Sequence, residues 1–169
     1  MPIPPEDSRP GHTSSGREQP TQRRLNRPKD KDDLLQLLTE QGPFQEYRDV
    51  LVFAAALGWY QRKRLPLGAK GEAIRWETAT NRKGTEALVN MIAAAESENP
   101  EILAAELFDE RLEIFEEYAN GGLEILQTML KSEIRPPLDV LLELVQSAFK
   151  GAIAREVVDL TSAAEYLEF

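Results

Sequence analysis

The chain has 169 residues, 41% of them hydrophobic, and carries 20 Lys and Arg against 29 Asp and Glu for a net charge of −9. That length and apolar content suffice for one folded core, while the lack of cysteine excludes disulfides, a thiolate nucleophile and Cys-ligated metal centres. The charge is divided along the chain: residues 1–83 hold 15 basic against 11 acidic side chains and residues 84–169 hold 5 against 18, so only a local basic stretch is suited to phosphates.

Residues 1–23 contain Pro2, Pro4, Pro5, Pro10 and Pro20, with Ile3 as the one branched aliphatic residue. Such a segment cannot bury enough surface to offset its ordering entropy, and it is expected to be a disordered tail ahead of a helical domain over 24–169. It holds the single histidine, His12, so no His-based centre is expected in the fold. Its beginning lacks the apolar stretch of a secretory signal, which makes the cytoplasm the expected location.

Asp30 is placed to cap a first helix with Leu34, Leu35, Leu37 and Leu38 on its buried side, ended by Gly42. Phe44 to Arg64 then reads as a central, nearly fully buried helix, because every residue from Val50 to Tyr60 is apolar, aromatic or Gly. Eleven such residues fall short of the ~20 that a membrane span needs, so protein is expected to wrap this helix. Glu46 and Asp49 would occupy its first turns and Arg62, Lys63 and Arg64 its last, complementing the helix dipole. Residues 65–83 predict one long irregular loop, with Ala73–Thr80 as an extended piece pinned by Trp76.

Helical periodicity resumes at Thr85, a candidate cap, with Leu88, Met91, Ile92 and Ala95 as a buried face. Asn99-Pro100 predicts another helix start ahead of Ile102, Leu103 and Leu107. From Asp109 onward Leu112, Phe115, Ala119, Leu123, Leu126 and Leu130 share a face, interrupted by Gly121-Gly122, which marks a kink, a break or a close backbone approach. After Pro136-Pro137 a stripe of Leu138, Leu141, Leu142, Val145, Ala148 and Phe149 forms. The pattern continues from Gly151 through Ile153, Val157, Leu160 and Ala164, with Ser162 and Glu165 spaced to cap a last short turn. The expected fold is all-α: about six helices around a central buried one, with one long loop.

No GxxxxGKS/T or GxGxxG loop is present, and Gly68-Ala69-Lys70-Gly71 lacks the flanking sheet of a KH clamp. The ladder Asp109, Glu110, Glu113, Glu116, Glu117 and Glu124 lacks the Glu-x-x-His pairs of helical di-iron sites, so it reads as a solvent face. No catalysis, metal, cofactor or small-molecule substrate is therefore expected. Arg62, Lys63, Arg64, Lys70, Arg75, Arg82 and Lys83, interleaved with Trp59, Tyr60 and Trp76, form a candidate phosphate-contacting segment. Trp76 is included among its contact residues. The competing account has Arg62 to Arg64 capping a helix, the tryptophans in the core and the other cations solvating a loop. A protein partner is expected on the acidic half around Glu113, Glu116 and Glu117.

The strings RPKDKDDLLQLL (27–38), GPFQEYRDVLVFAAALGW (42–59), AIRWE (73–77) and NPEILAAELFDERLEIFEEYANGGLEIL (99–126) together resemble the small accessory proteins encoded with bacterial DNA phosphorothioation (Dnd) systems. The resemblance covers about residues 24–149. It implies a cytoplasmic protein acting beside enzymes that place sulfur in the DNA backbone or restrict unmodified DNA, and it supplies no active-site residue. Two roles follow from it: an adaptor for a larger subunit of the modification or restriction complex, or a weak, sequence-insensitive DNA binder acting through the basic loop.

Overall fold

A computed structural model describes residues 23–165, with side chains through Ala152. The tail at 1–22 and the side chains of Ile153, Val157, Leu160 and Ala164 lie outside the described residues. The described chain is all-α, with six helices: α1 (Asp32–Glu40), α2 (Tyr47–Tyr60), α3 (Trp76–Thr80), α4 (Thr85–Ser97), α5 (Phe108–Lys131) and α6 (Pro137–Glu165). One antiparallel ribbon joins β1 (Arg24–Leu25) to β2 (Ile74–Arg75). Among the described residues no helix is long and apolar enough to cross a membrane.

The apolar run that defines α2 finds its main cover in α5. Val50, Leu51, Ala54 and Leu57 bury themselves with Phe115, Ala119, Leu123 and Leu126 in one core. The two helices meet at backbone distance. A Cβ added to Gly58 would overlap the carbonyl of Tyr118, and one added to Gly122 would overlap the carbonyl of Ala54. Gly121 admits the carbonyl of Lys63 in the same way. The glycine pair thus marks a close approach, and α5 runs through it unbroken.

Burial along α2 is less complete than expected, since Ala56 and Tyr60 are exposed and Val52, Phe53 and Trp59 half-buried. The helix also ends at Tyr60, before the three cations that were expected in its last turn. Arg62 takes a left-handed conformation, φ 55°. The Lys63 N–H donates to the Gly58 carbonyl (2.8 Å) and the Arg62 N–H to that of Trp59 (3.1 Å). This is a Schellman stop with arginine where glycine is usual, and the Arg62 guanidinium lies over the Trp59 ring, 4.9 Å from its centroid.

The long loop is pinned at both ends of its course. The Leu65 N–H donates to the Glu117 carbonyl (3.1 Å), and buried Asn120 donates from Nδ2 to the carbonyls of Leu65 (3.3 Å) and Pro66 (3.0 Å). Farther on, the Lys29 N–H donates to Ala69 and the Gly71 N–H to Arg27, which leads into the register Arg24↔Arg75 and Leu25↔Ile74. Only Ile74–Arg75 of the expected extended piece is a strand, and Trp76–Thr80 turns into α3. Asn120→Ala removes both clamps on residues 65 and 66. At about 1 kcal/mol per hydrogen bond the expected cost is about 1–2 kcal/mol. Hydrogen exchange should then speed up at the Leu65 amide and the loop beyond it, while α2 stays protected.

Smaller departures have local causes. Asp30 falls in a 3-10 turn, Lys29–Lys31, so α1 starts at Asp32. Gly84, with φ 100°, is the N-cap of α4 and Thr85 its buried first residue. The α4 core face is Val89, Ile92 and Ala93, while Met91 is 67% exposed. Asn99 does cap, its Oδ1 accepting the Glu101 N–H (3.0 Å), yet what it opens is a 3-10 turn, Pro100–Leu103. α6 continues past Gly151 and Ser162 as one helix.

Candidate functional site

The ribbon and α5 enclose a cleft of about 560 Å³. Arg23, Arg24, Asn26 and Lys70 form one wall, Asp109, Glu113, Glu116 and Glu117 the other, with Leu112 and Leu67 between them. Glu116 is the one buried acid of this set, 5% exposed. Its Oε1 accepts the backbone N–H of Asn26 (2.5 Å) and the Asn26 Nδ2 (3.0 Å), tying α5 to the chain just after β1. Burial pushes its carboxyl up to about 7, outweighing the Asn26 hydrogen bonds and the Lys70 charge that favour ionisation; Glu113 adds to the rise.

This corrects the solvent-face reading of the acidic ladder. Glu116 lies four residues after Leu112 and seven before Leu123, both buried, so helical spacing itself places it on the core face. Glu117 is half-buried and binds Arg64 Nε (2.6 Å), and Arg64 Nη1 also reaches Glu96 (3.0 Å), whose other oxygen accepts the Tyr118 hydroxyl (2.5 Å). Glu124 accepts from buried Lys31 Nζ (2.5 Å), which also donates to Gln127 (2.8 Å). Of the expected partner-contacting acids, Glu113 alone is exposed.

Residues with no assigned part at the sequence level hold the fold from inside. Arg48 donates to the Thr78 carbonyl and the Asn81 side chain and pairs with Glu46 (2.8 Å), which fixes α3 on α2. Arg111 donates to the carbonyls of Ile102 (2.6 Å) and Ala104 (2.7 Å) at the turn before α5. Each is a buried cation whose partners include backbone carbonyls, which no sequence pattern marks.

The basic segment does not assemble as one patch. Arg62 stacks on Trp59, Arg64 is held by Glu117 and Glu96, and Arg82 pairs with Asp49 (3.4 Å). Trp76 packs edge-on against Phe108, centroids 4.9 Å apart. Lys63 leaves the end of α2, Lys70 bridges Pro28 beyond the ribbon, Arg75 belongs to the ribbon, and Lys83 precedes α4. None of these last four forms an ion pair among the described residues.

The α6 stripe also divides. Val140 and Leu141 are buried and Leu144 and Ala148 half-buried, whereas Leu138 (41%), Leu142 (50%), Val145 and Phe149 (67%) are exposed. A hollow of about 280 Å³ between α2 and α6, lined by Phe53, Leu57, Tyr60, Leu144, Val145 and Phe149, adjoins this open face. Among the described residues no group of three or more His, Cys, Asp or Glu is placed to hold a metal ion.

These features define a small helical protein with a pinned loop, a polar cleft and an uncovered apolar helix face. Residues 24–163 match the family model described as DNA sulphur modification system-associated protein 4, and the chain belongs to that family. The match extends the earlier resemblance through most of α6. No curated protein matches the chain, and no solved structure does.

Proposed function

We propose that this protein is a non-catalytic, cytoplasmic accessory subunit of a DNA sulphur modification system, serving modification or the linked restriction of phage DNA by docking a larger protein of that system. The observation that carries the reading is the open stripe of Leu138, Leu142, Val145 and Phe149 on α6. Side chains of this size contribute about 1.5–3 kcal/mol each when fully buried, and a partner's groove is where such a helix face would gain that burial. Asp139 and Glu143 lie on the same helix, and exposed Asp109, Glu110 and Glu113 add an acidic edge on α5 that would steer a basic partner surface. The absence of histidine after His12 and of any phosphate-binding loop supports a role without chemistry of its own.

Co-expression of the tagged protein with the other proteins of the system tests this reading. One of them should co-purify with the wild type and be lost with Leu142→Glu/Phe149→Glu. The variant should melt as the wild type does, because surface changes ordinarily stay within about 0.5 kcal/mol. Undiminished co-purification of a folded variant would remove α6 from the contact.

A further inference from the structure

We infer that the basic rim formed by the β1–β2 ribbon and its continuation through the Pro28–Lys70 bridge is a contact for the phosphate backbone of duplex DNA, made by Arg24, Lys29, Lys70 and Arg75. Arg27, Lys31, Arg48, Arg64, Arg82 and Arg135 each lie within 4 Å of a carboxylate. The four rim cations have no such partner among the described residues, and all four are exposed. The fold collects them from two distant parts of the chain. Arg24 stands directly opposite Arg75 in the register, and at the other end Pro28 bridges Lys70 while the Lys29 N–H donates to the Ala69 carbonyl.

Like charges directly opposite on paired strands destabilise the pair, and a two-residue ribbon has little cross-strand packing to offset this. A polyanion laid along the rim relieves the repulsion. From Arg24 to Lys29 the extended chain covers about 16 Å at about 3.3 Å per residue, enough for several successive phosphates. Association of the family with DNA modification makes duplex DNA the polyanion at hand. Arg23 lies over the Phe108 ring, 4.0 Å from its centroid, and anchors the strand rather than facing outward.

Nearby acids set the limits of the contact. Glu72 is 3.6 Å from Arg27, Asp30 is 3.4 Å from Lys31, and Asp109 and Glu113 line the opposite wall of the cleft. They keep the duplex on the basic rim of the cleft, where Arg24 and Lys70 stand, and off its acidic wall. Four contacts are therefore a ceiling, and at about −0.9 per contact log affinity should fall against log salt with a slope of about −3 to −4. With backbone contacts alone, binding is weak and indifferent to sequence.

The test is fluorescence anisotropy of a labelled duplex titrated with the full-length protein, from low to physiological salt. Arg24→Ala/Lys70→Ala/Arg75→Ala should flatten the slope by about 2–3 and reduce low-salt affinity at least about tenfold. Lys83→Ala, outside the ribbon, should leave both unchanged. If the triple variant does not fold, Arg24→Glu alone serves, with Arg24→Lys expected to retain the wild-type slope. The inference is overturned by absence of duplex binding at low salt, by an unchanged slope in the folded variants, or by poly-glutamate displacing the duplex equally well at matched charge. None of these outcomes bears on the α6 contact, which fails or stands by co-purification.

Discussion

Gly122→Ala should lower the melting temperature by about 6–12 °C. In an open helix the same change would stabilise by about 1 kcal/mol, since alanine is the better helix former. Here the added Cβ would overlap the carbonyl of Ala54, so α2 and α5 must move apart along the core that holds Leu51, Phe115 and Leu123. Overpacking costs about 1–3 kcal/mol, and a backbone obstacle that cannot change rotamer puts this site at the upper end. A chain of this length loses about 2–4 °C per kcal/mol. Gly68→Ala is the matched control, because a Cβ there meets nothing within 4 Å. Scanning calorimetry of both variants decides the matter: equal melting of Gly122→Ala and wild type would show that the helices are farther apart.

The stability of the protein should fall as pH rises through neutrality, and Glu116 should be the reason. Its carboxyl is raised from the ordinary value of 4.5 to about 7 in the fold, so the folded state holds a proton that the unfolded state has released. The contribution is complete below about pH 4.5 and is lost as pH climbs through about 7. A shift of this size corresponds to about 3 kcal/mol. Glu116→Gln keeps an oxygen for the Asn26 donors and never ionises, so its urea-unfolding free energy should vary by about 3 kcal/mol less than the wild type's between about pH 5 and about pH 8. It should also be the more stable protein at the upper pH. Parallel pH profiles for the two proteins would mean that water reaches this carboxylate.

Much of the helical layout is legible in the residues. The apolar run from Val50 to Tyr60, the Pro136-Pro137 break and the Leu112 to Leu126 periodicity are local signals, and each corresponds to an element or a boundary. Element ends were less legible, because the stop after Tyr60 rests on Arg62 adopting a left-handed backbone that arginine seldom takes. For the cleft, the position of Glu116 was available from its spacing to Leu112 and Leu123, but the sheer number of nearby glutamates hid it. The strand partner of Ile74–Arg75 was not legible at all. Two residues of pairing carry no periodicity, and Arg24–Leu25 is far away in sequence.

The sequence by itself determined an all-α fold, a helix too apolar to be left uncovered and membership of a DNA sulphur modification-associated family, because propensity, periodicity and family strings are properties of neighbouring residues. Tertiary structure alone decided which charges are spent and which are free. Arg64 and Arg82 are neutralised by acids from other elements, while Arg24 and Arg75 are set side by side with no ion-pair partner among the described residues. It likewise decided that Val140 and Leu141 of α6 would be covered and Leu142 and Phe149 left open, since a helix apolar on two sides needs two neighbours and the described residues supply one.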